Sequence, residues 1–236
     1  MATIDAPDIH TLTWQTVARV LDSTLLRADT SRAQVDRLCE EAAHYGFASV
    51  FVHPSYVALA VSLLHNTPVK VGTPAGFPLG TALTTVKRFE TREALRLGAD
   101  EVDMVMNIGA LKSGNRGVVQ ADIAGVVDIA HDTGAIVKVI LETALLTIDE
   151  KLLACELAVS AGADFVKTST GYAGGGATID DIALMRGVVG KRAGVKAAGG
   201  IRTAGDVGKM LAAGADRIGT STAAAIMNEL SAPQFK

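Results

Sequence analysis

The stretch LGADEVDMVMN (residues 97–107) returns as AGADFVKTST (161–170) and AGADRIGTST (213–222), and this repeated phrase decides the fold. Its glycine suits the left-handed residue that stops a helix. The apolar run after the aspartate has the length and β-branched content of a strand buried on both faces. Each copy therefore reads as helix end, turn, parallel strand. Looser copies are YGFASVFVH (45–53) and TGAIVKVILE (133–142), and residues 20–24, 69–75 and 194–198 bring the strand candidates to eight. Helical stretches are expected over 31–44, 81–97, 117–133, 149–161, 178–189 and 203–213, between the strands. Eight strands alternating with helices in 236 residues match one α/β (β/α)8 barrel, a TIM barrel forming a single domain over 1–236. An open doubly wound sheet is disfavoured, because no Gly-x-Gly-x-x-Gly turn follows the first strand and the repeated junctions run along the whole chain.

Composition bounds the classes that remain. The chain is 49% hydrophobic with a mean hydropathy of +0.31, enough for a large core, yet no apolar stretch approaches the ~20 residues of a membrane helix. The start MATIDAPDIH lacks the basic and apolar segments of a secretory signal, so a soluble cytoplasmic protein with no membrane partner is expected. A net charge of −3 without a lysine or arginine run argues against nucleic acid. Cys39 and Cys155 lie far apart in predicted helices and are read as small buried residues, neither metal ligands nor a disulfide.

Lys167 and Lys196 stand near the ends of neighbouring apolar runs. A lysine in a strand buried on both faces must shed its charge, find a carboxylate or line a site. Two together suggest amine chemistry, since a neighbouring cation and partial desolvation both favour a free amine, and a free amine attacks carbonyls. Alternation along each strand turns Lys167 and Ser169 into the barrel. The same parity turns in Asp103 with Val105, Lys138 with Ile140 and Glu142, Lys196 with Ala198, and Asp22 with Thr24. Any one of these could be a buried ion pair; for Lys138 the partner would be Asp103 or Glu142. Several at one level weaken that reading, because barrel interiors are normally filled by branched apolar residues and catalytic groups occupy the strand ends.

The strings LDSTLL (21–26), GFPLG (76–80), EVDMVMNIGALKSG (101–114), KVILET (138–143), VKTSTG (166–171), GGAT (175–178), KAAGGIRT (196–203) and RIGTS (217–221) together resemble the deoxyribose-phosphate aldolase family. The resemblance implies a class I aldolase on a (β/α)8 barrel, needing no metal or other cofactor. It implies reversible cleavage of 2-deoxy-D-ribose 5-phosphate to D-glyceraldehyde 3-phosphate and acetaldehyde, in deoxyribose phosphate catabolism. Residue by residue, it makes Lys167 the Schiff-base nucleophile, Lys196 the lysine that tunes it, Asp103 a proton-transfer partner, and Lys138, Asp22 and Thr24 supporting groups. A homodimer or higher homo-oligomer is an open expectation.

Gly171, Gly199, Gly200 and Gly219 leave backbone N–H groups uncovered after the last three strands, and Ser221 adds a hydroxyl. Loops and helix starts of this kind favour a phosphate. The chain departs from the family pattern at Phe51, where cysteine is common, and at His53, where asparagine is common. Contacts to the aldehyde end are therefore expected to differ, with His53 read as a structural imidazole. Tyr172 is placed either over the site or on the surface, and His44, His65 and His131 are read as helix-end groups. The tail NELSAPQFK lacks the terminal tyrosine that some members place near substrate.

Overall fold

The computed structural model describes residues 13–231, so the readings of MATIDAPDIH and of tail residues 232–236 lie outside the described residues. Eight parallel strands close into a barrel in chain order: β1 (Leu21–Leu25), β2 (Ser49–Val52), β3 (Lys70–Ala75), β4 (Glu101–Val105), β5 (Ile136–Ile140), β6 (Phe165–Lys167), β7 (Gly194–Ala198) and β8 (Arg217–Thr220). All eight expected strands are present. The six expected helices are α2 (Arg32–Tyr45), α4 (Thr84–Arg96), α6 (Arg116–His131), α7 (Ile148–Ser160), α8 (Ile179–Val189) and α9 (Ala204–Ala212). Four helices escaped the sequence reading: α1 (Trp14–Ala18), α3 (Val57–Leu64), α5 (Ile108–Lys112) and α10 (Ala223–Ser231).

The repeated Gly-Ala-Asp phrase does two jobs. Gly98, Gly162 and Gly214 take φ of 98, 86 and 107°, the region only glycine enters freely, and so turn each chain from helix to strand. The aspartate then stitches the preceding strand, its carboxylate accepting a backbone N–H there. Asp100 holds Val71 at 2.9 Å, Asp164 holds Val137 at 2.7 Å and Asp216 holds Val195 at 2.7 Å. That second job explains why the phrase opens β4, β6 and β8 and closes onto β3, β5 and β7.

Strand parity then sorts the side chains. Val102, Met104, Val139, Val166, Val195 and Ile218 are fully buried in the apolar layer between strands and helices. Each such side chain contributes ~1.5–3 kcal/mol over an exposed one. Phe51, Val105, Ile140 and Ala198 are also buried but stand apart from that layer, on the inner face. Phe51 pairs in register with Gly72, where an added Cβ would lie 2.3 Å from the ring, so the glycine makes room for the aromatic inside the barrel. Register also sets Asp103 beside Lys138 and Lys167 directly beside Lys196.

Candidate active site

Inside the barrel the three lysines converge on one carboxylate. Lys167 Nζ and Lys196 Nζ each donate to Asp103 Oδ2 at 2.8 Å, and Lys138 Nζ stands 3.4 Å from Asp103 Oδ1. Lys196 Nζ also meets Asp22 Oδ2 at 2.5 Å. The strand end that presents Lys167 is clamped on both sides: its carbonyl accepts from Leu141 N–H at 2.9 Å, and Thr168 donates through N–H to the Lys196 carbonyl at 3.1 Å. The Thr168 hydroxyl adds a bond to the Ala198 carbonyl at 2.9 Å. These bonds fix the backbone that carries the two lysines, and Asp103 and Asp22 hold their heads.

The sequence reading missed two members of the cluster, Glu101 and Arg217. The Arg217 guanidinium donates to Asp22 Oδ1 at 2.8 Å, to Ser49 Oγ at 3.1 Å and to both oxygens of Glu101 at 3.2 Å. Glu101 in turn accepts a very short bond from Lys138. Lys138 is thus paired with Glu101 and Asp103. The alternative partner, Glu142, reaches elsewhere: it adopts φ 57° and its carboxylate accepts the Thr170 N–H at 3.2 Å and the Thr170 hydroxyl. Thr24 donates to the Asp22 carbonyl at 3.0 Å.

Burial and charge compete for every proton here. Burial pushes the Asp103 carboxyl up, but Lys167, Lys196 and Lys138 together outweigh it and hold the group well below the usual carboxylate range. Asp22 is likewise pushed up by burial and pulled down more strongly by Lys196, Lys138 and Arg217, to about 2. Lys138 loses from burial yet is raised, because Asp103, Asp22 and Glu101 surround it. For Lys196 burial wins: with Lys167 and Lys138 adding repulsion against the pull of Asp103 and Asp22, its ammonium falls to about 8. Phe51 lies among the lysine heads, its ring centroid 3.8 Å from Lys196 Nζ, 4.6 Å from Lys138 Nζ and 5.8 Å from Lys167 Nζ. His53 stays out of the cluster, its Nε2 2.9 Å from the Leu26 carbonyl oxygen.

A cavity of about 370 Å³ opens above the cluster. Of the three lysines in the cluster, Lys167 lines it, together with Thr24, Ser169, Gly171, Gly199, Gly200, Gly219 and Ser221. The expected lysine and the expected glycines therefore share one hollow. Ser169 Oγ is buried there and has no hydrogen-bond partner among the described residues. Gly199 and Gly200 take φ of 93 and 81°, a bend that side chains resist. Gly219 differs from expectation: it lies within β8, in register with Asp22 and Ala198, and a Cβ on it would come 3.1 Å from Lys196 Cε. It leaves room for the lysine and also lines the cavity.

Around the rim, the start of α9 is already occupied. Asp206 accepts the N–H groups of Arg202 and Thr203, each at 3.1 Å, and Glu229 accepts that of Ala204 at 2.8 Å. At α10, Thr222 N–H goes to Thr220 Oγ1 at 3.1 Å, while the N–H groups of Ala223 and Ala224 meet no side-chain acceptor among the described residues. Orphan donors beside Ser221 suit an anion. Tyr172 spans the mouth, its hydroxyl donating to the Leu26 carbonyl at 2.6 Å and its ring edge-on to Phe77 with centroids 5.5 Å apart. A second hollow of about 560 Å³, around Trp14, Tyr45, Phe47 and Pro68, shares none of these groups.

The sequence profile of the DeoC/LacD family of aldolases matches residues 16–228. The chain belongs to that family. This aldolase is 56% identical to the deoxyribose-phosphate aldolase of Geobacillus sp. over 211 residues, 89% of this chain and 94% of the relative. It is 55% identical to deoxyribose-phosphate aldolase 1 of Bacillus licheniformis over 218 residues, 92% and 97% of the two chains. The tetrameric deoxyribose phosphate aldolase structure from Aeropyrum pernix superposes with a TM-score of 0.86 at 35% identity, covering 92% of this chain and 91% of that one. As a class I aldolase and lyase, the protein performs amine chemistry, for which a lysine at the floor of an open cavity is the required part. Among the described residues of this aldolase, no group of three or more His, Cys, Asp or Glu side chains is arranged to hold a metal ion, and no helix is long and apolar enough to cross a membrane.

The remaining sequence readings fall into place around this aldolase's core. Cys39 and Cys155 are free and buried, and burial pushes both thiols up to about 12. His131 Nε2 lies 2.9 Å from Asp164 Oδ2 and His65 Nδ1 lies 3.0 Å from the Ser62 carbonyl oxygen, both at helix ends as expected. His44, in the last turn of α2, packs edge-on against Tyr45.

Proposed function

We propose that the protein reversibly cleaves 2-deoxy-D-ribose 5-phosphate to D-glyceraldehyde 3-phosphate and acetaldehyde, with Lys167 as the imine-forming residue. One observation carries this reading: Lys167, alone of the three interior lysines, faces the cavity while sharing the single oxygen Asp103 Oδ2 with Lys196. The Lys167 amine attacks the C1 aldehyde of the open-chain sugar and water leaves. The protonated imine draws electrons from the adjacent carbon, so the C2–C3 bond breaks as the C3 hydroxyl gives up its proton, leaving an enamine on Lys167. Asp103 and Lys196 stand beside the nitrogen and move protons to and from the hydroxyl and the enamine carbon, directly or through water. Hydrolysis then frees acetaldehyde. The phosphate sits against Ser221, Gly199, Gly200 and the start of α10, across the cavity from the reacting carbon, with Gly171 at the rim and Thr24, Asp22 and Lys138 holding the floor.

The test is borohydride reduction in the presence of acetaldehyde, followed by peptide mapping. An ethyl group on Lys167 is the expected result; a label on another lysine, or none, overturns the reading. Release of acetaldehyde from deoxyribose 5-phosphate is the accompanying assay. A cytoplasmic setting agrees with two free buried thiols. A homo-oligomer is part of the same reading, and light scattering in solution decides it.

A further inference from the structure

Seven ionisable side chains form one connected cluster inside the barrel. Four are cationic (Arg217, Lys138, Lys167 and Lys196) and three are carboxylates (Asp22, Glu101 and Asp103). With every group ionised, the interior carries one positive charge in excess. Holding charge out of water costs several kcal/mol per ion unless it is compensated. The excess disappears when one lysine gives up its proton, whereas Arg217 cannot give up its own. Arg217 and Glu101 reach none of the reacting atoms, yet both sit in the cluster at high burial, with side chains 15% and 4% exposed.

We propose that Arg217 and Glu101 are positioning residues that set the charge state of the lysine pair, Arg217 as the fixed surplus cation that leaves one amine free and Glu101 as the carboxylate that keeps the surplus to one. Every strand contributes to the surroundings of the pair. β1 supplies Asp22, β2 the uncharged Ser49 and Phe51, β3 Gly72, β4 Glu101 and Asp103, β5 Lys138, β6 and β7 the lysines themselves, and β8 Arg217. Glu142, beyond the end of β5, is bound to Thr170 and is in no ion pair among the described residues; Arg27, at the cavity mouth, is neutralised by Asp29. Arg202 also lines the mouth, where it is exposed to water. The burial-driven fall of Lys196 to about 8 agrees with one amine of the pair being the group that yields.

The inference rests on Lys167 forming the imine, and its test keeps the two claims apart. Acetaldehyde is trapped on the protein with cyanoborohydride across a pH series, and the acid limb is read, where labelling falls as amines take up protons. Arg217→Met removes the surplus cation, so the limb should move alkaline by about one pH unit. Glu101→Gln adds to the surplus and should move it the opposite way by a similar amount. Arg217→Lys, which keeps the charge, should leave it in place, and the Arg217→Met/Glu101→Gln double variant should return it close to wild type. If Arg217→Met does not fold, the acid-going limb of Glu101→Gln and the unmoved limb of Arg217→Lys carry the decision. Limbs that move together, or labelling that falls in both variants at an unchanged pH, would assign the two residues to barrel stability alone. No labelling of the wild type at any pH would instead overturn the imine reading.

Discussion

Lys167 and Lys196 donate to the same oxygen, Asp103 Oδ2, over equal distances of 2.8 Å. A carboxylate oxygen shared in this way has no lone pair to spare for a third strong donor, and a proton leaving either amine is at once beside a base and beside another cation. A change of charge on any one of the three groups is therefore felt directly by the other two.

That sharing makes the carboxylate's charge testable. In Asp103→Asn the amide still fits between the amines but cannot take a proton. Imine trapping on Lys167 should continue slowly, because water can assist carbinolamine loss, while turnover falls by ~10²–10⁴-fold. Steady-state rates and mass-mapped trapping measure the two separately. Wild-type turnover in this variant would mean that another group moves the proton.

Asp22 should make acid stability pH-dependent in a defined direction. Folding lowers its carboxyl from 3.8 to about 2, burial being outweighed by Lys196, Lys138 and Arg217. The unfolded chain therefore binds the proton more tightly, so the stabilisation is fully present above 3.8 and is lost as pH falls through about 2. The pH-dependent part is on the order of 2 kcal/mol. Urea unfolding of wild type and Asp22→Asn should show a stability gap that narrows over that window; a gap independent of pH would contradict the assignment.

Ser169 offers a hydroxyl that no other described residue engages. Its hydroxyl is buried in the cavity with no partner among the described residues, so removing it breaks no hydrogen bond to another described residue. Ser169→Ala should leave the melting temperature unchanged or slightly raised while lowering kcat/KM about ten-fold, with and without the substrate's phosphate. A large loss of stability would show that the hydroxyl has a structural partner instead.

Ser221 tests the phosphate end. A carboxylate there sets like charge against a dianion where the rim's donors converge, so Ser221→Glu should raise KM for deoxyribose 5-phosphate strongly. Some kcat is lost as well, because phosphate binding helps hold the reacting carbon. Unphosphorylated deoxyribose should suffer much less. Equal losses on both sugars would move the phosphate elsewhere on the barrel.

The eight strands were legible because buried parallel strands are continuous apolar runs, and because the Gly-Ala-Asp turn marks where three of them begin. The short helices were not. α5 has five residues inside NIGALKSG, and α3 (VALAVSLL) follows Pro54 with apolar residues on every side, so neither shows an amphipathic period. Parity turned Lys167, Lys196, Lys138, Asp103 and Asp22 inward, and the structure brings all five into contact. Glu101 and Arg217 have the same parity as Asp103 and Gly219, but each opens its strand directly after the turn, where a charged side chain is ordinarily in water. The pairing itself was beyond reach. Asp103 is in register with Lys138, yet its hydrogen bonds go to lysines two and three strands further on, a relationship that exists only once the sheet has closed.

The direct register of Lys167 with Lys196 across β6 and β7 has a consequence for how such a protein can change over generations. The separation of the two amines is written in a backbone ladder, and the ladder is pinned by closure of all eight strands. The groups that line the cavity sit mostly in the segments after the strands, at 26–27, 169–172, 199–202 and 221. Those segments can lengthen, shorten or exchange residues while the amine pair stays where it is. Variation in those segments can therefore reshape the mouth of the cavity without altering the spacing of the two amines.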